Sequence, residues 1–209
     1  MTAHDVELLT AWQRHVSSDT GPLSGLLARH REKHRRYHGV DHVVWVLRHV
    51  DELVAEESVD DPAAIAAAAF YHDAVYEPTY PANEQASARL ARRDLDELGW
   101  DGDRIDRVSD MIEATSTHDA PHDGDTAVLI DADLAVLAAD PAAYQDYVEG
   151  VRSEYRNLDD AEWADGRSDV LQRFLDRDAI FTTGTGQAKW EARARANIAA
   201  ELASLSSLA

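Results

Sequence analysis

The run from Ala63 to Tyr71, Ala-Ala-Ile-Ala-Ala-Ala-Ala-Phe-Tyr, is apolar at every position. Alanine is the strongest helix former, and neither glycine nor proline interrupts the run, so it predicts a helix. A helix with no polar face has to be enclosed by other elements. It falls well short of the roughly 20 apolar residues of a membrane span. The rest of the chain must therefore wrap it, and the pattern elsewhere is helical too. Period-two runs of β-branched residues are absent. Val43, Leu47, Val50 and Val54 recur at spacings of three and four in a helix expected from about Gly39 to Glu57, which gives one apolar stripe. Asp61-Pro62 and Asp140-Pro141 pair an N-cap with proline at the first helical position. Asp159 and Glu162 have the spacing of a capping box. Breaks at Gly21-Pro22, 77–81, 99–103, 120–125 and 182–186 leave about eight to ten helices. The last of these, Thr-Thr-Gly-Thr-Gly, reads as a loop without the spacing of a phosphate cradle. No repeat or low-complexity linker divides the 209 residues. The expectation is one all-α domain over 1–209, a helical bundle.

Charge narrows the partners. Forty acidic against twenty basic residues give a formal charge of −20. Such a surface repels nucleic-acid backbones and anionic membranes. An anionic substrate would need local cations to overcome that field. The chain has no cysteine, which excludes disulfides, thiolate metal sites and a cysteine nucleophile. Its first residues, MTAHDVELLT, lack a basic-then-apolar signal pattern. A cytoplasmic location is expected. The tryptophans are scattered and read as packing anchors.

The candidate chemistry lies in the histidines and a few acids. Five of ten histidines fall between positions 30 and 49. His30, His34, His38 and His42, spaced by four, would form a ladder on one helix, but Gly39 is expected to interrupt it. His30 and His34 sit among arginines and read as a solvated basic face. His72-Asp73 ends the buried alanine-rich helix, where a charged aspartate is costly unless paired or bound to metal. His42 lies thirty residues upstream. Downstream, Asp131 and Asp133 stand in an otherwise apolar stretch, Leu129 to Leu134. Two positions apart on a helix is about 200°, so only one of them can face a given site. Two imidazoles with two carboxylates suit divalent Mn, Mg, Fe, Co or Ni.

The order His, His-Asp, Asp resembles the HD-domain metal-dependent phosphohydrolases, all-α proteins with a metal in the middle of a helical bundle. Tyr37-His38-Gly39-Val40-Asp41-His42 is similar to the Tyr-His-Asn-x-x-His stretch of the cyclic nucleotide phosphodiesterases in that superfamily. Phe70 to Tyr76, Asn83 to Ala88, Val151 to Tyr155 and Ala194 to Asn197 resemble a bacterial branch of predicted HD phosphohydrolases. The likeness spans roughly residues 30 to 200.

By position, the resemblance implies His42, His72, Asp73 and one downstream aspartate as ligands of one or two divalent ions. The context of Asp133-Leu134 favours Asp133, leaving Asp131 to orient a ligand histidine. His38 would be the general acid, or would bind phosphate or hold Asp41 or Glu84, with Gly39 replacing the asparagine of the phosphodiesterase pattern. Glu77 or Glu84 would position water, although Tyr76 departs from the HDxxED motif that suggests Glu77; the alternative is a loop acid and a helix-start acid near the helix dipole. His118 would touch substrate or a second metal, or simply end a helix. Arg152 is the favoured phosphate contact among Arg152, Arg167, Arg173, Arg177 and Arg193, with salt bridges as the alternative for each. The implied activity is hydrolysis of a small nucleotide, phosphomonoester or phosphodiester by metal-bound hydroxide. The alternative is a metal-containing nucleotide-binding protein without turnover. The implied partner is a small phosphorylated substrate, with no nucleic-acid polymer, no membrane, and a homodimer as the assembly to look for.

Overall fold

A computed structural model describes residues 2–119 and 124–206. Among them are ten α-helices and no strand. They are α1 (Ala3–His15), α2 (Gly21–His30), α3 (Val40–Val54), α4 (Pro62–Tyr71), α5 (Asn83–Glu97), α6 (Gly102–Ala114), α7 (Gly124–Leu134), α8 (Pro141–Glu154), α9 (Asp160–Leu175) and α10 (Gly184–Leu205). A 3₁₀ turn at Ala135–Ala138 follows α7. The chain is all-α, as its patterning predicts. No helix of the described residues is long and apolar enough to cross a membrane.

The alanine-rich helix α4 is the axis of the bundle. Every residue from Ala64 to Tyr71 is buried, and α1, α3, α5, α6 and α7 pack around it. Its small side chains let neighbouring helices approach closely. The stripe of α3 faces this core through Val43, Val46, Leu47 and Val50. Leu53, wholly buried, takes the last core position in place of the half-buried Val54. Burial of each such side chain contributes about 1.5–3 kcal/mol relative to exposure.

The helix starts follow the capping signals. Asp61 accepts from the Ala64 N–H at 3.0 Å, Asp140 caps α8, and Asp159 with Glu162 forms the capping box of α9. Two further carboxylates, buried Asp125 and half-buried Glu191, gather backbone N–H groups from other segments. Asp125 accepts from Asp60 and Asp61, and Glu191 from Ile180 and Phe181.

Two expectations are corrected. Gly184 to Gly186 form the first turn of α10 rather than a loop, because the Thr183 hydroxyl caps it by accepting from the Gly186 N–H at 2.9 Å. Gly186 has to be glycine here: a Cβ would stand 2.7 Å from Asp131 Oδ2. The second is the basic face. His30 is the buried last residue of α2, and His34 reaches the Tyr76 carbonyl at 2.9 Å. The break expected at 120–125 falls largely on residues 120–123, outside the described residues.

Candidate metal centre

The start of α3 and the ends of α4 and α7 meet at one point. Gly39, extended at φ −107°, caps α3 and so places His42 in its first turn. His72 is the C-cap of α4 and Asp73 follows it. Asp133 stands in the last turn of α7. His42 Nε2 lies 3.1 Å from His72 Nε2, 3.2 Å from Asp133 Oδ1 and 3.3 Å from Asp73 Oδ2. His72 Nε2 lies 3.2 Å from Asp73 Oδ2 and 3.7 Å from Asp133 Oδ1. The histidine side chains are 1–2% exposed and the carboxylates 12–16%, so imidazoles form the floor and acids the open side.

This donor set fits a cation. The His72 Nδ1–H donates to the Ala69 carbonyl at 2.9 Å, which leaves its Nε2 a bare lone pair in the neutral ring. His42 Nδ1 is buried without a partner among the described residues, so all the polar contacts of this ring are made through Nε2. Two imidazole nitrogens and two carboxylate oxygens then face one another, an arrangement that a positive charge among them stabilises. Burial alone would lower both imidazoles, but the Asp73 and Asp133 carboxylates outweigh it and hold both above their ordinary range. The spacing agrees. Ligand atoms about 2.1 Å from a common ion and at right angles stand about 3.0 Å apart. His42, His72 and Asp133 lie close enough together to hold a metal ion, and Asp73 contacts both histidines.

Asp131 faces away, as a two-residue offset on a helix requires. Its role differs from the expected one. Fully buried, it accepts from the Thr182 and Thr183 N–H groups and from the Thr183 hydroxyl at 2.6–3.1 Å. Burial raises its carboxyl, and those bonds oppose the rise. It fastens the 182–183 turn and orients no histidine.

His38 stands on the rim, its ring 5.5 Å from that of His42 and 21% exposed. Its Nδ1–H donates to Glu154 Oε2 at 2.6 Å. Glu154 was not a candidate on sequence, yet it organises this side of the centre. Its Oε1 accepts from the backbone N–H groups of Arg36, Tyr37 and His38 at 2.6–3.0 Å. Its Oε2 also accepts from the Tyr76 hydroxyl at 2.9 Å. Burial would raise this carboxyl, but His38 and the backbone donors pull it down to about 2. A signal was present: Tyr144, Tyr147, Val151 and Glu154 follow a helical spacing, which puts an acid in register with an apolar stripe. Buried Arg35, also missed, donates to the carbonyls of His38, Asp73 and Ala74 at 2.6–3.2 Å. It ties the segment before α3 to the turn that carries His72-Asp73.

His118 reaches the centre from another direction. Its Nε2–H donates to Asp133 Oδ2 at 2.9 Å, on the side of the carboxylate away from His42. It is the one described non-glycine residue with positive φ, 52°, a conformation that costs about 1–2 kcal/mol.

Several expected site residues are not brought in. Glu77 is exposed, and only its backbone is held, by Asn83. Glu84 lies half-buried in the first turn of α5, where its charge reaches the Tyr155 hydroxyl. Neither carboxylate hydrogen-bonds in the centre. Arg152 is corrected most clearly. Its guanidinium donates to the carbonyls of Tyr155 and Leu158 and pairs with Asp160, so it closes the end of α8. Arg167 is buried in a pair with Glu201, and Arg177 serves the turn at His118. Arg173 and Arg193 are exposed and make no ion pair among the described residues.

Neither a protein-family model, a curated protein nor a solved structure matches the chain.

Proposed function

We propose that the protein is a metal-dependent hydrolase of a small phosphate ester, in keeping with its resemblance to the HD-domain phosphohydrolases. The observation that carries this reading is the placement of a proton-bearing imidazole, His38, on the rim of a buried two-histidine, two-carboxylate cation seat. His42, His72 and Asp133, with Asp73 beside them, would hold the ion. A divalent ion in that seat supplies Lewis acidity towards water and towards a phosphoryl oxygen.

The chain's own residues supply the rest. Glu154 stays ionised at neutral pH and keeps a hydrogen on His38 Nδ1. In the imidazolium form the opposite ring nitrogen, Nε2, carries the second hydrogen and can pass it to a leaving-group oxygen, which leaves a neutral ring with its hydrogen on Nδ1 towards Glu154. The Tyr76 hydroxyl, donating to Glu154, and the Tyr76 ring, stacked 4.3 Å from that of His38, fix the direction of this transfer. The buried floor of His42 and His72 keeps bulk water away from the back of the site. The charge of −20 favours a small substrate over a nucleic-acid polymer.

The test is a screen of phosphorylated metabolites with Mn, Mg, Co or Ni added, followed by His38→Ala. Removing a general acid should lower kcat by about 10²–10⁴-fold with Mn²⁺ affinity unchanged. Mn²⁺ binding without turnover of any phosphate ester would leave a metal-containing binding protein instead.

A further inference from the structure

We propose that Arg177 is a positioning residue for this centre: it holds the left-handed turn at His118, and through His118 it sets the Asp133 carboxylate. The inference rests on reading His42, His72 and Asp133 as a cation site.

Asp133 is addressed at both oxygens, by His42 Nε2 at Oδ1 and by His118 at Oδ2. The orientation of that carboxylate therefore depends on where His118 stands. The end of α6 holds only the backbone N–H of His118, which donates to the Ala114 carbonyl at 3.1 Å. His118 itself lies beyond that end, and its φ of 52° is one that a residue with a Cβ adopts only when its surroundings enforce it. The enforcing group is Arg177. Its Nη1 donates to the His118 carbonyl at 2.8 Å. Its Nη2 donates to the Thr117 carbonyl at 3.0 Å and to Asp119 Oδ1 at 2.8 Å. Three successive residues are gathered on one planar fork, which a guanidinium can serve and a single ammonium cannot.

The fork is itself anchored. Its carbon lies 4.8 Å from the centre of the Phe174 ring, and the His118 ring lies 6.0 Å from that ring, so one aromatic side chain backs both. Arg195 donates to the carbonyls of Leu175, Arg177 and Asp178 at 2.7–3.1 Å, and Glu191 fixes Arg195 at 2.6 Å. A continuous run of contacts thus leads from α10, through the turn after α9, to Asp133. Three of its five N–H groups serve acceptors in this turn, so the turn is where Arg177 acts.

The test is calorimetric titration with Mn²⁺ alone of the full chain and of Arg177→Ala, Arg177→Lys, His118→Ala, the Arg177→Ala/His118→Ala double variant and His42→Ala. Arg177→Ala and His118→Ala should each weaken Mn²⁺ binding on the order of 10-fold or more, as loss of a residue orienting a ligand does. The double variant should bind no more weakly than His118→Ala, because Arg177 acts only through His118. Arg177→Lys should fall between wild type and Arg177→Ala, and it stands in if the alanine variant does not fold. Wild-type affinity in either folded Arg177 variant would overturn the proposal, as would penalties that multiply in the double variant. Undiminished binding in His42→Ala, or none in wild type, would instead bring down the cation-site reading and the proposal with it.

Discussion

Replacing Glu154 by glutamine keeps the side chain's shape and removes its charge, so it isolates what that carboxylate does. The glutamine oxygen can still accept from the N–H groups of Arg36, Tyr37 and His38. Its amide, however, presents hydrogens where Tyr76 and His38 both donate. The magnitude follows from the carboxyl's shift. Lowered from 4.5 to about 2 in the fold, it contributes about 3 kcal/mol of stability at neutral pH. The sign is that of a depressed acid. The contribution is complete above the unfolded value near 4.5 and fades as pH falls towards 2, with roughly 2 kcal/mol of it gone by about pH 3. Urea unfolding of wild type and Glu154→Gln at several pH values measures it. The variant should be about 3 kcal/mol less stable at pH 7, and the gap should narrow to about 1 kcal/mol near pH 3. A gap that stays constant with pH would mean that the amide merely fits badly, and the charge-based account of the rim would fail.

Other substitutions separate binding from structure. Asp133→Ala should abolish Mn²⁺ binding. Asp131→Ala should leave it intact while costing about 2–4 kcal/mol, because the Thr182 and Thr183 N–H groups lose their acceptor; Mn²⁺ titration and thermal melts of the two variants read both effects. Arg152→Ala should cost about 1–2 kcal/mol through its lost bonds to Tyr155 and Leu158, with kcat/KM within about twofold of wild type. A fall of 10-fold or more in kcat/KM would return Arg152 to the substrate.

What could be read from sequence was what is locally determined. The burial of α4 follows from nine apolar positions, and the starts of α4, α8 and α9 from Asp-Pro and Asp-x-x-Glu. The opposed directions of Asp131 and Asp133 follow from helical geometry alone. The partners of those aspartates did not follow, since Asp131 meets a turn some fifty residues on. Arg35 looked like part of a solvated basic run because its acceptors, the carbonyls of Asp73 and Ala74, come from another segment. Arg152 was favoured for the stretch it lies in, yet Glu154, two residues on, is the one that turns inward, since only it keeps the helical register of Tyr144, Tyr147 and Val151. The backbone of His118 carries no local signal, because its left-handed turn is imposed by a guanidinium 59 positions away.

Anomalous diffraction at the manganese edge, from crystals grown with Mn²⁺, tests the centre most directly. A single strong peak is predicted, within about 2.0–2.5 Å of His42 Nε2, His72 Nε2 and Asp133 Oδ1. Crystals with no peak between those three residues, or with the ion bound only elsewhere on the acidic surface, would contradict it.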